Sequence, residues 1–265
     1  MRRASALCAF SYVLVCAVVF SQEAAKDTGG AKVWVGRHAD FEEYLRVAPI
    51  EKLEEVGMGV TNPFRAFFAP GGLAASAVVK PLVPRRQKGY WESYKSEIAA
   101  YELDRLLGLD MVPVTVERRV DGQRASVQLW VRGCKLLKGA EGEKPALPLK
   151  WAREVCRQRV FDCLTANIDR NAGNILIDDA WNMILIDHSR AFAQDEMPFE
   201  KEITRLDREL YERLKALDEA TLTERLEPWV FGGGSVRAIL KRRDRIVTRL
   251  ETLARERGEA AVFPF

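Results

Sequence analysis

Histidine and cysteine are scarce, and each scarcity excludes a chemistry. Only His38 and His188 occur, too few for a histidine-rich metal cage, so zinc chemistry is not expected. Of the five cysteines, Cys8 and Cys16 fall in an apolar start. Cys134, Cys156 and Cys163 remain, an odd number without metal-type CxxC spacing. Cys156 and Cys163 sit two turns apart on one predicted helix, about 10 Å, too far to bridge each other. At most one disulfide, through Cys134, is left. A surplus of one charge sign is lacking as well: 41 Lys and Arg face 38 Asp and Glu, for a net +3. Without Arg2 and Arg3 that falls to about +1, so no nucleic-acid partner is indicated. The basic run Lys241-Arg242-Arg243 with Arg245 reads as one solvated helix face. No internal repeat is visible.

What is present is ordinary globular composition, 48% hydrophobic and 30% charged, rather than that of a disordered chain. The 265 residues accommodate a two-lobed catalytic unit of roughly 200–250 residues. Arg2 and Arg3 precede an uncharged apolar stretch from Ala4 to Phe20, and Val19 with Ser21 suits cleavage after Ser21. Residues 1–21 are therefore expected to be a signal peptide and the protein to be exported, to a periplasm or outside the cell. The stretch is short for a membrane span, although uncleaved it would serve as an anchor. No stable span is expected once it is removed. Val15 stands where a lipoprotein signal wants a small residue before Cys16, which argues against lipid attachment.

Residues 22–55 are polar and form an N-terminal extension expected to end in helix, Phe41 to Arg46 and Glu51 to Val56. Residues 56–133 read as a small β-rich lobe. Arg65 to Ala69 and Ala74 to Leu82 flank a Pro70-Gly71-Gly72 turn as a hairpin. Pro84 to Gly89 reads as a basic loop. A helix is expected from about Trp91 to Leu107, stopped by Gly108. Val112 to Val120 and Ala125 to Val131 make a second hairpin around Asp121-Gly122. A hinge is placed near Leu129 to Gly133, and residues 134–149 read as linker or insert. Residues 150–265 form a helical lobe. It opens with the stripe Cys156, Val160, Cys163 and Leu164 on a helix from Trp151 to about Thr165. Two short strands follow, Ile175 to Ile177 and Met183 to Ile186. From about Glu202 the pattern is helical, broken by Pro228 and Gly232-Gly233-Gly234.

Phosphoryl transfer requires a cation on the nucleotide phosphates, metal ligands bridging phosphate oxygens, and a carboxylate to orient the attacking hydroxyl. The chain offers each in the order kinases use. Ala77-Val78-Val79-Lys80 is a strand ending in lysine. Glu97 lies among Tyr94, Ile98 and Tyr101, where an unpaired carboxylate is costly, so Lys80 is its expected partner; Glu102 is the runner-up position. Asp169-Arg170-Asn171-Ala172-Gly173-Asn174 spaces an aspartate and an asparagine as a catalytic base and a metal-binding asparagine are spaced. The apolar run Met183-Ile184-Leu185-Ile186 then leads directly into Asp187, a second metal-ligand position. Each element alone is weak; the four in order are specific. A phosphate-covering loop is incomplete, since Gly57-Met58-Gly59 gives only G-x-G and Asn62 stands where a third glycine belongs. No A-P-E segment follows Asp187, so a peptide platform of the protein-kinase type is not supported.

These residues resemble the Golgi casein kinase and Four-jointed group of secretory-pathway kinases. The likeness rests on Lys80-Pro81, the helix Glu97 to Leu107, Val112-Pro113, Val160-Phe161-Asp162 with Asn167-Ile168-Asp169-Arg170, and Ile186-Asp187 to Phe192. It runs from about Arg65 to Phe192 and extends to HipA-type kinases and phosphoinositide 3/4-kinases. Asn174 follows the latter two more closely, and Asn171 stands where all three groups usually have histidine. The resemblance implies a two-lobed α+β protein-kinase-like fold of the atypical kind, with ATP and Mg²⁺ or Mn²⁺ in its cleft. It gives Asp169 as catalytic base, Lys80 and Glu97 at the nucleotide, and Asn174 and Asp187 at the metal. The expected activity is transfer of the γ-phosphate to a hydroxyl acceptor of unidentified kind, whether protein, lipid, sugar or small molecule. A nucleotide-binding pseudokinase without turnover is the alternative. A third reading, a purely structural exported domain with these carboxylates as loop caps, predicts no stabilisation by nucleotide.

Overall fold

A computed structural model describes residues 31–57, 63–87, 90–192, 197–230 and 235–265. The expected signal peptide, nearly all of the Gly57 to Asn62 loop and the Gly232 to Gly234 break lie outside these residues. Helix α1 (His38–Val47) and strand β1 (Ile50–Glu55) come first, followed by β2 (Phe64–Phe68) and β3 (Ser76–Lys80). Next are β4 (Arg85–Gln87), β5 (Tyr90–Glu92), helix α2 (Tyr94–Leu107), β6 (Thr115–Val120), β7 (Gln123–Leu129) and β8 (Cys134–Leu136). Helix α3 (Pro148–Thr165), β9 (Ile175–Asp178) and β10 (Met183–Leu185) lead to α4 (Arg208–Ala216), α5 (Glu219–Leu226), α6 (Val236–Arg257) and α7 (Glu259–Val262).

The first half builds a five-stranded antiparallel sheet in the order β1-β2-β3-β7-β6. The β6–β7 turn has Asp121 and Gly122 both at positive φ, 48° and 78°, the conformation that suits a two-residue hairpin and that Asp-Gly adopts readily. Helix α2 packs under this sheet and is buried around much of its circumference, with Ile98, Ala99, Tyr101, Leu103 and Leu107 all inside. Such a helix belongs in a core rather than on a surface. Ser93 caps its start by accepting from the Lys95 N–H at 3.0 Å, and Gly108 ends it in the left-handed region. At Gly108 a side chain would also strike Arg213, which donates to the carbonyls of Leu107 and Gly108.

The second half is helical apart from a small sheet, β10-β9-β8. Its strands place the two candidate site loops: the Leu185 N–H donates to Met111 O at 2.8 Å and the Ile186 N–H to Asn174 O at 3.2 Å. The apolar core is continuous between the halves, with Val127 of the sheet, Leu103 of α2, Phe161 of α3, Ile184 of β10 and Leu250 of α6 in one cluster.

Several elements differ from the expectations. Glu51 to Glu55, expected as helix through Val56, is strand, because β1 finds an edge to pair with at β2. Part of the expected basic loop is strand: β4 pairs antiparallel with β5, which takes Trp91 and Glu92 and delays the start of α2 to Tyr94. Cys134 to Leu136, expected in a linker, pairs with β9. Cys134, Cys156 and Cys163 are all free thiols, so the bridge through Cys134 is not formed among the described residues. Arg242 is 2% exposed and donates to Leu164 O, which overturns the solvated-face reading at that position.

Candidate functional site

Strand β3 ends at Lys80, and its ammonium lies 2.5 Å from Glu97 Oε1 of α2 and 2.9 Å from Asp187 Oδ1. Lys80 and Glu97 are buried. Burial opposes the lysine charge, but Asp187 and Glu97 outweigh it and hold its pKa above the ordinary lysine value. Lys80 in turn lowers the Asp187 carboxyl to about 2, against the opposing effect of burial. Glu97 uses both oxygens: Oε2 accepts the His188 N–H at 3.0 Å. One carboxylate therefore fixes the lysine and the backbone just after Asp187 together. Glu102, the runner-up partner, instead pairs with Arg225 of α5.

Asp187 has φ +58°, a conformation aspartate tolerates better than most residues but one that costs energy and concentrates at functional sites. It turns the chain as β10 ends and leaves the side chain 34% exposed. Ser189 donates to its Oδ1 at 3.1 Å.

The loop after α3 carries Asp169, whose backbone N–H donates to Asn167 Oδ1. Its carbonyl accepts from Asn171 Nδ2 at 2.9 Å and Asn174 Nδ2 at 3.0 Å. Asn174 thus commits its side-chain nitrogen Nδ2 to the loop and leaves its side-chain oxygen Oδ1 for a ligand. Beneath the loop, Arg170 donates to both oxygens of the fully buried Asp162, to the carbonyls of Asn174 and Ile186, and contacts His188 Nε2 at 2.8 Å. Burial first, then Arg170 and Lys80, holds the His188 pKa well below its usual value, so the ring is neutral. Asn167 Nδ2 adds a donor to Asp162 Oδ1. The Asp169 loop and the Asp187 segment are hence tied through one buried arginine.

Lys80 is in direct contact with both Glu97 and Asp187, and Asp169 and Asn174 share the adjacent loop. Sequence reasoning did not single out Glu92 or Arg190, and it named Asp162 only within the Val160-Phe161-Asp162 match, without a site role. Glu92 is fully buried, its Oε1 accepting from Arg190 Nε at 2.8 Å, and Arg190 Nη1 donates to Asp169 Oδ2 at 3.1 Å. The only sequence signal for Arg190 was its place in the stretch running from Asp187 to Phe192. No cluster of three or more His, Cys, Asp or Glu among the described residues is arranged as a metal cage. A Mg²⁺-type site needs none, since one or two carboxylates with phosphate oxygens suffice. Asp187 and the side-chain oxygen Oδ1 of Asn174 fit that hard-oxygen set. No helix among the described residues is long and apolar enough to cross a membrane.

No protein-family model matches the chain, and no curated protein sequence matches it. Among solved structures, the Golgi casein kinase is similar with a TM-score of 0.64 at 16% identity, covering 85% of this chain and 79% of that one. The same kinase with Mn and ADP bound matches equally well, with a TM-score of 0.64 at 16% identity over 85% and 78% of the two chains. Hydra Fam20 with sugar gives 0.63 at 16% identity over 84% and 90%. The Helicobacter pylori proinflammatory kinase CtkA gives 0.52 at 13% over 81% and 96%. This chain has a two-lobed α+β fold of the protein-kinase-like kind, with a small β-rich lobe, a helical lobe and the Lys80–Glu97–Asp187 contact where strand, helix and β10 meet.

Proposed function

We propose that this protein is an exported ATP-dependent phosphotransferase acting on a hydroxyl acceptor. The observation that carries the reading is Lys80 held between Glu97 and Asp187, in a fold similar to that of kinases. Lys80 would neutralise the ATP phosphates, and Glu97 would keep it in place. Asp187 and Asn174 would hold Mg²⁺ or Mn²⁺, which supplies charge neutralisation on the phosphate oxygens when bound. Asp169 would accept the acceptor's proton as the new O–P bond forms and the bond to ADP breaks. The similar Golgi casein kinase has been seen with Mn and ADP, which supports the nucleotide and metal assignment by analogy of fold.

Metal–ATP at a hundredfold excess over its dissociation constant should stabilise the wild type by about 2.7 kcal/mol. That is a melting shift of roughly 5–10 °C for a chain of this size. Asp187→Ala should lose most of the shift. Asp169→Ala should keep it and lose transfer of label from γ-labelled ATP. Full metal-dependent stabilisation of Asp187→Ala would place the site elsewhere. A second reading, nucleotide binding without turnover, draws on the Asp169 carboxylate being already engaged by Arg190. A wild type that shows the shift but neither transfers label nor releases ADP would favour it.

A further inference from the structure

We propose that Arg190 is a positioning residue for Asp169, mounted on the buried carboxylate of Glu92; this rests on the phosphotransfer reading above. The guanidinium meets Glu92 Oε1 through both Nε and Nη2, at 2.8 and 2.7 Å. It meets Asp169 Oδ2 through Nη1 alone, at 3.1 Å. The three side chains are graded in exposure: Glu92 is 0% exposed, Arg190 17% and Asp169 39%. The bond to Glu92 therefore lies in the drier medium, where charge-assisted hydrogen bonds are strongest. A buried carboxylate needs a compensating charge. Arg190 is the cation on Glu92, whose Oε2 has no hydrogen-bond partner among the described residues. The guanidinium is consequently held whether or not Asp169 accepts from it.

Three further contacts fix the mount. The guanidinium carbon lies 4.8 Å from the centre of the Tyr90 ring on β5, a cation–π distance. The Ser93 N–H donates to Ser189 O at 2.9 Å, and Ser96 Oγ donates to Ala191 O at 3.0 Å. Residues 189 and 191 are thus bonded to the start of α2, and β5 meets the arginine between them with Tyr90 and Glu92. This geometry matters for a loop aspartate that is more than a third exposed. An unrestrained carboxylate samples rotamers, and only some aim an oxygen at an acceptor. With Oδ2 occupied by a fixed donor, the side chain is held in one orientation and Oδ1 is the oxygen left to receive a proton. Misplacing such a group by about 1 Å is enough to lose roughly 100-fold in rate.

The test uses the full chain with Mn²⁺–ATP, reading ADP release with water as acceptor, and in parallel the melting shift with Mn²⁺–ADP. Arg190→Met should lower kcat by roughly 100-fold while KM for ATP and the nucleotide shift stay at wild-type values. Arg190→Lys, and Arg190→Met with guanidinium ion added below denaturing concentration, should recover part of the loss. Glu92→Gln should lower kcat in the same direction and less. Asp169→Asn and the Asp169→Asn/Arg190→Met double variant should be equally slow, because one residue acts through the other. Unchanged kcat in Arg190→Met would overturn the positioning role and leave the phosphotransfer reading standing. A fall in kcat accompanied by loss of the nucleotide shift would assign Arg190 to fold maintenance instead. Should Arg190→Met not fold, Arg190→Lys and Glu92→Gln decide by the same kcat and shift readings. A wild type that binds Mn²⁺–ADP yet neither releases ADP from ATP nor transfers label from γ-labelled ATP would remove both readings together.

Discussion

Single residues in this chain work by sharing: Glu97 serves a lysine and a backbone amide, Arg170 an aspartate, two carbonyls and a histidine. Asp207 is a third case, away from the site. Its carboxylate takes two bonds of 2.7 Å from Arg157 and caps α4 by accepting from the Leu210 N–H at 3.1 Å. Burial works against its charge, but Arg157 outweighs it and the pKa drops to about 2. The folded value lies below the unfolded one, about 3.9. The stability it contributes is therefore complete above about pH 4 and lost as pH falls through about 2. Asp207→Ala takes both 2.7 Å bonds from Arg157 but leaves it the exposed Glu209 at 3.1 Å, so near neutral pH it should cost up to about 3–5 kcal/mol, the range for a buried pair broken outright. Chemical denaturation at several pH values checks both statements: the gap between wild type and variant should narrow on acidification.

At the scale of elements, four strands escaped sequence reasoning for one reason. β1, β4 with β5, and β8 are short or charged, and none has an alternation strong enough to announce itself. Each is a strand because a neighbouring edge supplies partners for its backbone N–H and C=O groups. Arg242 is the helical counterpart: the basic run around it looked solvated, but α6 packs against α3 and buries that position. The N-terminal helix also gains its importance from packing. Phe41 and Leu45 of α1, with Trp34 just before it, are at most 2% exposed and lie in the main core. Arg118 of β6 donates to the carbonyls of Leu45 and Ala48. A chain shortened to begin at residue 56 should therefore lose several kcal/mol, since each large apolar side chain withdrawn from a core is worth about 2–5 kcal/mol. A thermal melt should show a markedly lower midpoint or no cooperative transition; an unchanged midpoint would show α1 to be dispensable.

For the molecule as a whole, export is the property we infer from Arg2, Arg3 and the apolar stretch behind them, which lie outside the described residues. Amino-terminal sequencing of protein recovered from its native compartment should begin near Gln22, and intact Met1 in a soluble cytoplasmic fraction would refute it. The continuous core bears on the lobes as well. Because sheet and helices share one apolar cluster, the candidate site sits on a common foundation, and Arg170 braces both of its loops from below.

The order of the local elements was legible in the sequence: a strand ending at Lys80, a helix through Glu97 capped by Gly108, an Asp-Gly hairpin, and an apolar strand delivering Asp187. Those features are written in neighbouring residues, in periodicity, caps and turn formers, so a linear reading reaches them. The pairing of Lys80 with Glu97 could be anticipated as well, because a carboxylate among aromatics demands a cation. Lys80 also touching Asp187, Arg170 threading between His188 and Asp162, and Glu92 carrying Arg190 to Asp169 were decided only in three dimensions. The partners in those contacts are up to 107 residues apart, and the energy that selects them is burial, which no local pattern encodes. A charged side chain in a sequence reads as solvent-facing until the fold removes the water from around it, and the tertiary structure alone settles which charges must then find each other.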